Sequence, residues 1–174
     1  MKRWTAYLAV TSVVLARPAF AMTLTSADIK PGATIAEAQI YPRCGGQNIS
    51  PQLSWSGAPT NAKSLVLTMI DLDVKPALWS HWIVVDLPTN ASGLPRGAKT
   101  LPGAAALVTT NFGDAAYGGP CPPQGTGVHH YQFTIWAMPA AQTAITPDDK
   151  ANTVLAWLSR TALDKASFVG WVKR

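Results

Sequence analysis

The sequence predicts an all-β sandwich or barrel with one helix near the C-terminus. Several short apolar or alternating segments are each bounded by glycine, proline or asparagine, which is typical of the strands and turns of an all-β fold. Only one segment, late in the chain, has the 3.6-residue period of an amphipathic helix. The chain has 174 residues, of which 48% are hydrophobic, so one domain with a proper core is expected.

The first residues have the pattern of a secretory signal. Lys2 and Arg3 give a positive start, residues 6–16 are mostly apolar, and 19–21 have the small-x-small form that precedes cleavage. The apolar stretch is shorter than the roughly 20 residues that span a membrane. We predict a signal peptide over 1–21 and a periplasmic or secreted domain over 22–174, with an uncleaved anchor as the alternative.

Cleavage would also change the charge of the protein. It removes Lys2, Arg3 and Arg17 and no acidic residue, so the net charge falls from +5 to +2. A nearly neutral domain without a lysine or arginine cluster gives no electrostatic basis for nucleic-acid binding. No later stretch is long and apolar enough to cross a membrane.

The chain has two cysteines, Cys44 and Cys121. In an exported protein the default for such a pair is one disulfide. Two free thiols are the alternative, and a metal site would need more ligands than two cysteines offer. The bond would join the segment 41–46 to a loop rich in glycine and proline, 118–127.

The predicted strands follow one another along the chain. Residues 52–56 alternate with a period of two, as a half-buried strand does, whereas 65–70 are continuously apolar, as in an interior strand. Residues 23–26 alternate weakly, and 34–41 are expected to be a second strand or an extended segment. The remaining strands are predicted at 81–87, 104–110, 131–138 and 167–172.

A helix is predicted to begin after Thr146. Thr146 is the candidate N-cap, Pro147 suits the first helical position, and Asp148 and Asp149 suit the positive end of the helix dipole. Apolar residues then recur at helical spacing up to Ala162. We expect the helix to end near residue 165.

The three histidines of the mature chain are His81, His129 and His130. Each begins a predicted strand beside a loop rich in glycine or proline. Alternation along the strand places His129 on the same face as Tyr131 and His130 on the opposite face. Only one of the two neighbouring histidines is therefore expected to face a given pocket. A packed structural role is the plain alternative for His81, which lies between two tryptophans.

Two carboxylates, Asp71 and Asp73, end the predicted interior strand. Aspartates in this position more often form turns than bind ligands. If the strand ends are neighbours in the fold, the carboxylate of Asp71, two imidazoles and the hydroxyl of Tyr131 form one polar pocket. The sequence alone does not place these strands together.

Five segments stand in a fixed order along the chain: Asn48-Ile49-Ser50-Pro51, Leu53-Ser54-Trp55, Asp71-Leu72-Asp73, 79–88 and the loop that leads to His129 and Tyr131. Together they resemble the phosphatidylethanolamine-binding proteins, in their bacterial Raf-kinase-inhibitor-like branch. The resemblance spans essentially the whole mature chain. It implies a β-sandwich of two antiparallel sheets with a C-terminal helix, and a small surface pocket that in relatives takes phosphate, acetate or phospholipid headgroups.

The resemblance also implies site residues. Carried over by position, the residues expected to line the pocket are Asp71, His81, Pro123, His129 and Tyr131, with Gly119, Pro120 and Cys121 shaping its wall. Asp73 is expected to organise the loop from behind. Two positions depart from the family pattern: Leu72 replaces a proline, and His130 replaces an arginine, which exchanges a permanent charge for a titratable one.

Three classes of function follow from these observations. The first is an exported binding or regulatory protein for a phosphate-like anion or a phospholipid headgroup, without catalysis, cofactor or metal. The second is a hydrolase or metal-dependent enzyme that uses Asp71, His81 and His129, since two histidines and a carboxylate can hold a metal; no nucleophile elbow, His-x-x-x-His or phosphate loop supports it. The third is an inhibitor of a protein partner that acts through the exposed loops. A homodimer is left open.

Overall fold

The computed structural model describes residues 21–146 and 148–174. The predicted signal peptide, except for its last residue, and the predicted helix position of Pro147 lie outside the described residues. The elements are β1 Thr23–Thr25, two short 3-10 turns at Glu37–Gln39 and Pro42–Cys44, β2 Leu53–Ser56, β3 Ser64–Asp71, β4 Trp79–Leu87, β5 Gly93–Leu94, β6 Ala106–Leu107, β7 Val128–Met138, α1 Ala151–Thr161 and β8 Asp164–Lys173.

The strands form two antiparallel sheets. The smaller sheet has the order β1-β2-β5, and the larger has the order β6-β4-β3-β7-β8. Both sheets contribute to one core, in which Leu53 and Trp55 of the small sheet join Leu67 and Phe133 of the large one. The predicted sandwich of two antiparallel sheets with a C-terminal helix is therefore confirmed.

The large sheet is covered on its other face by α1. Val154 and Leu158 of the helix pack with Val66, Ile83 and Trp136 of the sheet in a second cluster. Because β3 is buried on both faces, all eight of its residues are buried. This explains why residues 65–70 are apolar except for Thr68 instead of alternating between polar and apolar.

Two sequence-based expectations need correction. Residues 34–41 do not form a strand: the N–H groups of Gln39 and Ile40 donate to the carbonyls of Ala36 and Glu37 within a 3-10 turn, which interrupts the extended backbone. A single bridge between Thr34 and Trp171 is what remains of the extended pairing. Residues 104–110 contribute only the two residues of β6.

The helix also differs from its prediction at both ends. Its N-cap is Lys150 instead of Thr146, because the Asp149 carboxylate accepts hydrogen bonds from the N–H and hydroxyl of Thr146 and closes a separate turn. The helix ends at Thr161, four residues earlier than expected. Leu163 N–H donates instead to the carbonyl of Ala137, so pairing with β7 takes over from the helical pattern.

Candidate functional site

A cavity of about 250 Å³ opens at one end of the large sheet. The end of β3 meets the beginnings of β4 and β7 there, because antiparallel neighbours run in opposite directions. The register pairs Asp71 with Tyr131 on one side and with Trp79 on the other. Strand alternation then brings His129 to the face of Tyr131. The cavity is lined by Arg43, Asp71, Val74, Trp79, His81, Phe112, Cys121, Pro122, Pro123, His129 and Tyr131.

The structure brings together six of the eight residues that the sequence predicts for the pocket: Asp71, His81, Cys121, Pro123, His129 and Tyr131. The other two, Gly119 and Pro120, are buried behind the wall. Gly119 N–H donates to Asn48 Oδ1, and a side chain on Gly119 would collide with the carbonyl of Gln39. The carbonyl of Pro120 accepts from Tyr41 N–H. These two residues therefore hold the loop in place without lining the cavity.

Sequence reasoning did not identify five of the lining residues: Arg43, Val74, Trp79, Phe112 and Pro122. Trp79 and Pro122 belong to segments that the analysis had singled out, so adjacency to His81 and Cys121 was an available signal. Arg43 had a weaker signal, its position next to Cys44. Val74 and Phe112 have apolar side chains, so the sequence gave no signal that they line the cavity.

Asp71 and His129 form a buried pair at the floor of the cavity. His129 Nδ1 lies 2.7 Å from Asp71 Oδ2, and both side chains are almost fully buried. The other carboxylate oxygen of Asp71 accepts the backbone N–H of Asp73 at 2.9 Å. Asp71 is therefore engaged through both oxygens, and its main contact is the imidazole.

The second nitrogen of His129 is also engaged. Nε2 lies 3.0 Å from the hydroxyl of Thr126, and that hydroxyl donates to the carbonyl of Pro123 at 2.8 Å. The carboxylate of Asp71 only accepts, so the proton between the two side chains is on Nδ1. Both ring nitrogens of His129 are therefore engaged by protein side chains.

His81 differs from His129 because only one of its ring nitrogens has a described partner. Its Nδ1 lies 2.7 Å from the carbonyl of Gly118, which only accepts, so Nδ1 is the protonated nitrogen. Burial lowers the pKa of His81 from 6.5 to about 4, although the carbonyl of Gly118 and the carboxylate of Asp71 act in the opposite direction. The ring is therefore neutral at physiological pH, and Nε2 carries a lone pair.

Tyr131 contributes a buried hydroxyl. Tyr131 is 0% exposed, and its hydroxyl makes no hydrogen bond of full geometry to a described residue, although the carboxylate of Asp71 lies close enough to interact with it. Burial raises the pKa of Tyr131, and the nearby carboxylate of Asp71 raises it further, so the phenol stays protonated. The ring stands perpendicular to His81, with centroids 5.0 Å apart.

The mouth of the cavity combines one cation with aromatic rings. Arg43 is exposed, and no described carboxylate lies within ion-pair distance of it. Phe112 packs against Tyr41, Trp79 and His81, with ring centroids 5.0, 5.9 and 5.1 Å apart. The mouth therefore offers a positive charge beside an apolar wall.

A disulfide between Cys44 and Cys121 joins the turn that carries Arg43 to the loop that carries Pro123. The predicted pairing is thus confirmed. Arg174 strengthens this junction: its Nη1 donates to Cys44 Sγ at 2.6 Å and to the carbonyl of Pro122 at 3.3 Å. The disulfide holds two walls of the cavity together.

Asp73 lies outside the cavity and binds His130. Its Oδ2 accepts the backbone N–H of His130 at 2.6 Å and lies 3.0 Å from His130 Nδ1. Burial alone would raise the pKa of Asp73, but the bonds from His130 outweigh it and hold the pKa below its ordinary value. The position of Asp73 behind the pocket agrees with the expectation, and His130 points outward.

Two general features of the described residues bear on the alternatives. Within 21–146 and 148–174, no three histidine, cysteine, aspartate or glutamate side chains are arranged to hold a metal ion. None of the helices described is long and apolar enough to span a bilayer.

Comparison with known proteins gives the relationship of the chain. Its sequence is 37% identical over 134 residues to the UPF0098 protein YbcL of Escherichia coli, covering 72% of this chain and 73% of YbcL. It is 35% identical over 134 residues to a UPF0098 protein of Methanothermobacter thermautotrophicus, covering 75% and 87%.

The fold gives the same relationship. The crystal structure of E. coli YbcL, described as a new member of the mammalian PEBP family, superposes with a TM-score of 0.83 at 31% identity, over 88% of this chain and 98% of YbcL. The family model of the phosphatidylethanolamine-binding protein matches residues 25–173. By sequence and by fold, this chain belongs to the phosphatidylethanolamine-binding protein family.

Proposed function

We propose that this protein is an exported binding protein whose cavity takes a phosphate-like anion, free or as part of a phospholipid headgroup. The observation that carries the proposal is the buried Tyr131 hydroxyl at the cavity, which makes no hydrogen bond of full geometry although the Asp71 carboxylate lies near it. A buried polar group without a hydrogen bond costs about 1–3 kcal/mol. An oxygen of a bound ligand would remove that cost.

The charges around the cavity favour an anion. Arg43 brings a guanidinium to the mouth, and both oxygens of the buried Asp71 carboxylate accept hydrogen bonds from the protein, one from His129 and one from the N–H of Asp73. An anion therefore meets a cation at the mouth, while the carboxylate is directed at protein donors. A guanidinium suits phosphate in particular because its fork of donors matches two oxygens.

The hydrolase hypothesis receives less support from this geometry. A general base needs a free nitrogen within reach of the substrate. Both nitrogens of His129 are engaged, one by Asp71 and one by Thr126. Nε2 of His81 has a lone pair, but burial lowers the pKa of His81 to about 4, so it is a weak general base near neutral pH. We therefore propose a regulatory or inhibitory role, in which occupancy of the cavity alters the proline-rich loops at its mouth and their contact with a protein partner.

Calorimetry with inorganic phosphate and with phosphoethanolamine tests the binding proposal. Tyr131→Phe keeps the ring and removes the donor, and we expect it to weaken binding about tenfold to a hundredfold, since a hydrogen bond to a charged group contributes about 1.5–3 kcal/mol. Arg43→Gln should weaken binding as well. Arg160→Gln is the matched control, because Arg160 is exposed on α1 away from the cavity. Unchanged affinity in Tyr131→Phe would contradict the assignment.

Export needs a separate experiment. The disulfide and the N-terminal pattern support an oxidising compartment. Mass spectrometry of the protein from a periplasmic fraction should show an N-terminus at Met22 and two cysteines that resist alkylation before reduction. A full-length chain in the cytosolic fraction would contradict export.

A further inference from the structure

We propose that the cavity selects oxyanions that carry their own proton, such as the monoanion of a phosphate monoester, over oxyanions without a hydroxyl group. Nε2 of His81 accepts the proton of the ligand, and the Tyr131 hydroxyl and Arg43 donate to its unprotonated oxygens. This inference rests on the proposed function and narrows it to one protonation state of the ligand.

The first step is that His81 presents a fixed acceptor. Two hydrogen bonds hold it against Gly118: His81 Nδ1 donates to the Gly118 carbonyl at 2.7 Å, and Gly118 N–H donates to the His81 carbonyl at 2.8 Å. The ring is 3% exposed. The side-chain hydrogen bond described for the ring uses Nδ1, so Nε2 is left without a described partner in a ring that lines the cavity.

The second step is that nothing around His81 supplies the missing proton. The titratable and charged groups at the cavity are Asp71 from β3, His129 and Tyr131 from β7 and Arg43 from the turn before Gly45. Asp71 and His129 bind each other. The hydroxyl of Tyr131 makes no bond to His81. A ligand group at Nε2 must therefore be a donor.

A hydrogen bond at Nε2 can form in two ways: His81 takes a proton and donates it, or the ligand brings the proton. A fully ionised oxyanion presents only lone pairs, so it would bind Nε2 only after His81 had taken a proton. Burial opposes that charge, and it holds the pKa of His81 at about 4. The monoanion of a phosphate monoester brings a P–O–H group of its own, so its proton lies between the ligand oxygen and Nε2 without charging the ring.

An ammonium group is the other donor that a ligand could bring. The cavity does not favour it, because Arg43 supplies like charge at the mouth and the carboxylate of Asp71 is already paired. The diester phosphate of a phospholipid headgroup has no hydroxyl. A free monoester or inorganic phosphate therefore fits the donors and acceptors better than a lipid headgroup does.

Calorimetry on the protein at pH 6 tests this with three probes: methyl phosphate, methyl sulfate and dimethyl phosphate, a diester without any hydrogen-bond donor. Methyl phosphate is substantially monoanionic at this pH because its second pKa is about 6; methyl sulfate has the same charge and shape without the proton. We expect methyl phosphate to bind about tenfold to a hundredfold more tightly than each of the other two probes. This ratio corresponds to the free-energy cost of leaving the buried acceptor Nε2 without a donor. The preference should decline toward pH 8, as the ester loses its proton.

His81→Gln and Arg160→Gln serve as the test and control variants. A glutamine amide can donate as well as accept, so the preference for methyl phosphate should fall to a few-fold in His81→Gln and persist in Arg160→Gln. Should His81→Gln fail to fold, nitrogen-15 spectra of the wild-type histidines give the same information. Nε2 of His81 should stay unprotonated, with a shifted resonance, when methyl phosphate binds.

The outcomes separate this inference from the proposed function. If none of the three probes binds, the anion-binding proposal itself is wrong. If methyl sulfate or the diester binds as tightly as methyl phosphate, anion binding stands and the selection by protonation is wrong. A preference that persists in His81→Gln, or full protonation of Nε2 in the complex, also overturns the inference.

Discussion

Acidification should destabilise this protein through one residue, His81. Its pKa lies at about 4 in the folded state, against 6.5 for an ordinary histidine, because the ring is buried. Between these two values the unfolded chain binds a proton at His81 and the folded protein does not. The free energy of unfolding therefore rises with pH in this window. The stabilisation is complete above pH 6.5 and is lost as the pH falls toward 4.

The magnitude follows from the size of the displacement. Each pKa unit between the folded and unfolded states corresponds to 1.36 kcal/mol. A fall from 6.5 to about 4 therefore costs about 3 kcal/mol of unfolding free energy. The side chain is almost completely buried, so solvent screening does not reduce this figure much. Such a loss is a large part of the 5–15 kcal/mol that typical domains have.

Urea unfolding measured from pH 7 to pH 4, in buffers without phosphate or carboxylate, gives the free energy at each pH. His81→Gln is the control, because glutamine does not titrate while the other acidic groups and histidines remain. We expect the wild type to lose about 3 kcal/mol more than the variant over this range. Equal pH slopes in the two proteins would show that His81 titrates normally in the fold, and the fixed acceptor would then be lost as well.

Three further predictions concern the frame of the cavity. Reduction of the disulfide, whose cysteines are 77 residues apart in sequence, should lower the free energy of unfolding by about 4 kcal/mol, measured by urea titration with and without reductant; a loss below 1 kcal/mol would contradict it. His129→Ala leaves the buried carboxylate of Asp71 unpaired and should cost about 3–5 kcal/mol, while adding Asp71→Asn should restore part of it; strictly additive losses would show that the pair does not interact. Gly119→Ala should cost about 1–3 kcal/mol, since its Cβ meets the Gln39 carbonyl, and thermal unfolding at the wild-type midpoint would contradict that contact.

Sequence periodicity predicted the strands that bury apolar residues on a regular pattern. The interior strand β3 and the half-buried strand β2 were found close to their predicted bounds. The prediction of a strand over 34–41 was wrong because local 3-10 hydrogen bonds compete with strand pairing, and residue propensity does not decide between them. The predicted start of α1 was wrong because the Asp149 carboxylate accepts a hydrogen bond from Thr146 in a separate turn. The position of Asp149 in the sequence suited a helix N-terminus equally well.

The site was predictable only in part. The residues alone placed histidines and aspartates at strand ends, and the family resemblance then assigned them to one pocket. The pairing of Asp71 with Tyr131 depends on the register between β3 and β7, which the sequence does not specify. Arg43 reaches the cavity through a turn and a disulfide. The position of Arg43 at the cavity therefore cannot be predicted from the periodicity of the sequence.

The two imidazoles of the cavity differ in chemistry because different groups hold them. Both nitrogens of His129 are engaged by the side chains of Asp71 and Thr126, so it supports the site instead of offering a group to the ligand. His81 gives one proton to Gly118 and leaves the other nitrogen as an acceptor. A Cβ on Gly118 would stand 2.6 Å from a ring carbon of Phe112. Glycine at this position therefore lets the backbone pack directly against Phe112, and the carbonyl of the same residue sets the tautomer of His81 and through it the kind of ligand atom that the cavity accepts.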